Sequence, residues 1–142
     1  MPNPTPSELK KRLASDGFEI YRTTADAVQL ADRVRDNLIM DSGVSAVVGG
    51  ALSVRFITKA QASEFPGESG EQLFERARQL GAGAVSAGYG EVRTSVVPVH
   101  DPGDRARVLD TWYEVVFEKA VNDADLLDQL RYALSLPKSA TR

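Results

Sequence analysis

Residues 90–120 read GEVRTSVVPVHDPGDRARVLDTWYEVVFEKA, and this stretch decides the fold. Val92, Thr94, Val96 and Pro98 alternate with Glu91, Arg93, Ser95, Val97 and Val99. Beyond the turn-forming HDPGDRAR segment, Tyr113, Val115 and Phe117 alternate with Trp112, Glu114, Val116 and Glu118. A period of two on both sides of a Pro-Gly turn predicts an antiparallel β-hairpin. A register that sets Arg93 beside Glu118 and Val96 beside Val115 joins opposite charges on one face and apolar groups on the other. Pro98 has no N–H to offer a neighbouring strand, so it is expected at a sheet edge or strand end.

Away from the hairpin the pattern turns helical. Thr5-Pro6-Ser7-Glu8 has the form of a capping box, with Pro6 at the first helical position, and Leu9 and Leu13 form the apolar stripe behind it. Phe18–Thr23 reads as a strand. Thr24 is expected to cap a second helix, because Ala27, Leu30, Ala31, Val34 and Leu38 follow the spacing of a buried helical face and Gly43 stands where a left-handed terminator is wanted. Val44–Lys59 is either one strand bent at Gly49-Gly50 or a hairpin turning there. Ser69 with Gln72 caps a helix whose Leu73, Phe74, Ala77 and Leu80 face inward, closed by Gly81 and Gly83. Asn122 caps a last helix carrying Leu126, Leu127, Leu130, Ala133 and Leu134.

The order α-β-α-β(β)-α-β-β-α predicts a single α+β domain over residues 6–136, an antiparallel sheet of four to five strands packed with about four helices. A flexible arm, 1–5, and a flexible tail, 137–142, flank it. A mixed three-layer α/β sheet is the alternative, because strand–helix–strand segments also suit parallel crossovers. The expected core contains Leu30, Val34, Leu38, Phe56, Phe74, Leu80, Val96, Val115, Phe117, Leu127 and Leu130. An internal echo, Gln29–Arg35 (QLADRVR) against Gln72–Arg78 (QLFERAR), raises the question of an old duplication.

Composition narrows the function classes. There is no cysteine, which excludes disulfides, thiol catalysis and thiolate metal sites and makes a reducing cytoplasm the expected setting. No stretch has the length of a membrane span, and Met-Pro-Asn-Pro-Thr-Pro lacks the basic and apolar parts of a secretory signal. A net charge of −3, with basic residues diluted by neighbouring acids, argues against nucleic-acid and membrane-surface partners.

The reactive motifs fail one by one. Ala84-Val85-Ser86-Ala87-Gly88 resembles a nucleophile elbow in composition, but it follows a helix and leads into a strand, the reverse of the required context. Gly81-Ala82-Gly83 closes a helix where a dinucleotide loop must open one. His100, Asp101 and Asp104 are three ligand types within five residues, yet one His without Cys cannot build a closed zinc site, and Asp-Pro-Gly-Asp is turn chemistry. Glu114 and Glu118 share a strand face but stand about 13 Å apart, long for an acid–base couple. The expectation is therefore no catalytic residue, no metal and no cofactor. The chain reads as a non-catalytic interaction or regulatory module that works through contacts with a protein partner or a second copy of itself. The expected binding face is Trp112, Val97, Val99 and Val116, rimmed by Arg93 and His100. The competing reading is a small-molecule-binding protein or enzyme with a pocket near the 90–118 hairpin, lined by His100, Arg93 and Trp112.

Overall fold

A computed structural model describes residues 3–141. The elements run α1 (Pro6–Ser15), β1 (Ile20–Thr23), β2 (Ala27–Arg35), β3 (Leu38–Val47), β4 (Ser53–Gln61), a 3-10 turn (Ala62–Glu64), α2 (Gly70–Leu80), α3 (Ala82–Ser86), β5 (Gly90–Asp101), β6 (Asp104–Ala120) and α4 (Leu126–Ser135). The fold is α+β. Its strands form one antiparallel six-stranded sheet in the order β1-β2-β3-β4-β6-β5, one strand more than the upper expectation, and the three-layer α/β alternative falls. By contacts the chain divides into two compact units, Met1–Phe56 with Glu118–Ser135, and Ile57–Phe117 with Leu136–Arg142.

In the first unit, α1 starts as expected. The Thr5 hydroxyl accepts from the Glu8 N–H at 3.2 Å, the Glu8 carboxylate accepts from the Thr5 N–H, and Pro6 opens the helix. Leu9 and Leu13 are fully buried, as are Val28, Val44, Val54, Phe56, Leu126 and Leu130; α1 packs on β1 and β2, and α4 on β3. The Arg12 guanidinium reaches Asp123 and Arg131 lies over the Phe18 ring at 5.3 Å, tying α1 and α4 to their surroundings. The Asn122 side chain accepts from the Asp125 N–H at 2.8 Å just ahead of α4.

The segment expected as a second helix is instead β2 and the start of β3. A capping box from Thr24 would need Glu or Gln at position 27, and that residue is Ala27. The Thr24 hydroxyl donates to Asp26 and the Ala27 carbonyl instead. The helical spacing of Ala27, Leu30 and Ala31 is the footprint of a bulge: pairing runs Gln29 with Ser45, then Ala31 with Asp41, so β3 carries two extra residues there. Gly43 sits in that bulge at φ 81°, left-handed as expected though at no helix end, and the Ser42 hydroxyl donates to the Leu30 carbonyl while accepting from the Val44 N–H. Val34 and Leu38, expected in the core, are 52% and 38% exposed. The Gly49-Gly50 ambiguity resolves as a hairpin, since Val47 pairs with Ser53 across residues 48–52.

In the second unit, α2 carries the expected capping box between Ser69 and Gln72. Ala60, Phe65 and Leu73 form one buried cluster, with Ala62, Tyr113 and Ala140 packed against it. The buried Thr58 hydroxyl donates to the Ala77 carbonyl at 2.7 Å, which pins β4 to α2. Gly81 is required for a steric reason: a Cβ there would overlap the Phe117 ring. It passes the chain directly into α3, a helix absent from the expected order. Residues 138–140, expected as a flexible tail, run beside β4, where the Lys59 N–H donates to the Lys138 carbonyl and the Ala140 N–H donates to the Lys59 carbonyl. The echo of Gln29–Arg35 in Gln72–Arg78 is not a structural repeat, because one copy is strand and the other helix.

Candidate interaction surface

The hairpin of β5 and β6 belongs to the second unit over residues 90–117. The two strands are neighbours and β5 ends the strand order, so Pro98 lies on an edge strand. The connection is tighter than expected. Only Pro102 and Gly103 separate the two strands, so most of the HDPGDRAR segment is strand. Two acids serve the turn, Asp101 accepting from the Gly103 N–H at 2.8 Å and Asp104 from the Ala106 N–H at 3.1 Å.

At the root of the hairpin the inner face is as expected. Val115 and Phe117 are buried, and Tyr113 meets Phe74 edge-on at 5.1 Å and 83°. Glu91 accepts from Arg78 at 2.6 Å, which ties the start of β5 to α2. Farther out the expectation reverses. In β5 the half-buried residues are Ser95, Val97, Val99 and Asp101, while Val92, Thr94, Val96, Pro98 and His100 are exposed. Residues 102–109 are exposed at every position. The hairpin is thus an arm whose root is packed and whose outer part is bare, and Val96 leaves the expected core.

The six expected binding residues scatter. Val116 is only 2% exposed and so belongs to the interior. Trp112 is half-buried and already occupied: the Lys59 ammonium lies 3.6 Å from its ring centroid and its indole N–H donates to Asp110. Val97 and Val99 are half-buried, and Arg93 and His100 are exposed. The apolar surface lies elsewhere on the same arm, at Val92 (54% exposed), Val96 (54%), Val108 (49%) and Leu109 (50%). The alternation read from sequence includes Val92 and Val96 but not the adjacent Val108 and Leu109, and it cannot say how far the helices extend under a strand.

Asp110 marks the boundary between root and arm. Its carboxylate accepts from the Ser63 N–H at 3.0 Å, the Ser63 hydroxyl at 2.8 Å and the Thr111 N–H at 2.8 Å. Burial works against its ionisation, yet these donors and the Trp112 indole together hold its carboxyl below the usual aspartate range. The other lowered carboxyls, Glu19 beside Arg33 and Glu68 beside Arg76, owe their shifts first to those arginine hydrogen bonds and sit in ion pairs on the surface.

Two open hollows lie on the second unit. One, of about 510 Å³, lies at the arm's tip between His100, Asp101, Pro102 and Arg105. Of the expected lining it includes His100 but neither Arg93 nor Trp112. The other, of about 460 Å³, runs along α2 between Glu68, Glu71, Gln72, Glu75, Arg76 and Gln79. Among the described residues no group of three or more His, Asp or Glu is placed to hold a metal ion, and no helix is long and apolar enough to cross a membrane. Ser86 turns its hydroxyl back to the Ala82 carbonyl inside α3. No known protein family matches the chain, and no curated protein or solved structure matches it.

Proposed function

We propose that the chain is a non-catalytic interaction module that acts through protein contacts, with the outer β5–β6 arm as its contact surface. One observation carries this reading: four aliphatic side chains, Val92 near the root and Val96, Val108 and Leu109 farther out, stand about half exposed along the hairpin, Val108 and Leu109 on opposite faces, while its root is fixed by Phe117, Tyr113 and the Arg78–Glu91 pair. Burying them in a partner recovers hydrophobic free energy that folding leaves unused, at roughly 25 cal/mol per Å². Arg93 and Arg105 are exposed on the same arm without an ion pair among the described residues, and a polar rim of this kind gives orientation more than affinity.

The hollow between His100 and Arg105 favours a second reading, a small anionic ligand held at the tip. Native mass spectrometry of the affinity-purified protein from its own cells separates the two. The interaction reading expects a stoichiometric polypeptide that the Val96→Asp/Leu109→Asp variant loses. A bound small molecule that survives this variant and is lost on Arg105→Ala would replace it.

A further inference from the structure

A second bare surface lies in the first unit, at the outer ends of β2 and β3. β1 pairs with β2 only as far as Leu30, and β4 pairs with β3 only from Val44 onward. Residues 32–40 therefore form a two-stranded ribbon turning at Asp36-Asn37, exposed at every position. An isolated two-stranded ribbon is marginal in water and gains stability from a cover.

The pairing register assigns its faces. Asp32 stands opposite Met40 and Val34 alternates with Asp32 on the same side; the register then shifts between Arg33 and Arg35, a bulge that breaks the alternation and sets Arg35 opposite Leu38. One face thus carries Val34, Leu38 and Met40, which are 52%, 38% and 54% exposed, with Asp32 at its inner end and Arg35 at its outer end. Among the described residues neither Asp32 nor Arg35 makes an ion pair. Arg33 lies on the other face with Ile39 and is engaged by Glu19 at 2.9 Å and the Asp36 carbonyl at 2.7 Å.

An acid, an apolar centre and a base in a row make a face complementary to itself. We infer that this ribbon face packs on the same face of a second copy across a two-fold axis perpendicular to the strands. Such an axis reverses the strand direction and lays β2 over its counterpart, so each Asp32 meets the other copy's Arg35, Leu38 meets Met40, and Val34 lies at the axis. The parallel arrangement would set Asp32 over Met40 and strand both charges on apolar groups. The contact is small, so association is weak, concentration-dependent and weakened by salt. This inference stands apart from the arm and its partner.

Sedimentation velocity over a range of concentrations tests it. The wild type should associate reversibly. Asp32→Arg alone and Arg35→Asp alone should each weaken association about tenfold or more, because each sets like charges together twice. Both positions are exposed, so circular dichroism should show both variants folded. An equimolar mixture of the two variants should associate again, since each supplies what the other lacks. A wild type that stays monomeric overturns the inference. Single variants that associate normally overturn it as well, and so does a mixture that fails to recover. Loss of association on Val96→Asp/Leu109→Asp but on neither ribbon variant would move self-contact to the arm.

Discussion

Gly81 and Phe117 show how one residue constrains another across the second unit. The ring occupies the space that a Cβ would need, and Phe117 is almost fully buried. Gly81→Ala should destabilise the fold by about 1–3 kcal/mol through overpacking. Phe117→Ala should cost about 3–5 kcal/mol. Because the two residues share one space, the double variant should cost less than the sum of the singles. Urea unfolding measures all three; strict additivity would contradict the contact. Asp110 gives a pH dependence. Its folded pKa lies below the unfolded value of about 3.9, so ionised Asp110 favours the native state above that value. The contribution disappears as pH falls through the lower folded value. Wild type minus Asp110→Asn stability should therefore be constant above about pH 5 and shrink below about pH 4. A difference unchanged down to pH 2.5 would contradict the network around Ser63 and Trp112.

Two nearly matching segments take opposite conformations at the scale of elements. Gln72–Arg78 has Ser69 and Gln72 to satisfy its first N–H groups and becomes helix. Gln29–Arg35 lacks that box, is flanked by Val28 and Ile39, and precedes an Asp-Asn pair suited to a two-residue hairpin turn. That turn was legible, but the helical spacing of Ala27, Leu30 and Ala31 masked it, since a bulge imitates period 3.6 over one turn. Where caps and alternation agreed, as at Thr5, Ser69 and Val115–Phe117, the sequence sufficed. It could not show where covering helices stop, so Val34, Leu38 and Val96 were misassigned to the core and Val116 to the surface. The bulge itself is testable. Gly43→Ala forces a left-handed backbone at φ 81° on a residue with a side chain, and should cost about 1–3 kcal/mol in unfolding experiments. A neutral substitution would mean the bulge is not where β3 bends.

On the scale of the molecule, nine of the ten large hydrophobic residues left exposed among the described residues lie on strands: Tyr21, Val34, Leu38, Ile39, Met40, Val92, Val96, Val108 and Leu109. Apolar surface among the described residues thus concentrates on strands, which is the ground for the proposed contact role. Trp112, at the centre of the face read from sequence, is engaged by Lys59 and Asp110. Photo-cross-linking in the protein's own cells, with a reactive side chain at Leu109, probes the arm as a contact surface. A discrete protein adduct is expected that is lost when Val96→Asp is added, while the variant's unfolding midpoint stays near that of the parent. No adduct at Leu109, or an adduct indifferent to Val96→Asp, would contradict that role.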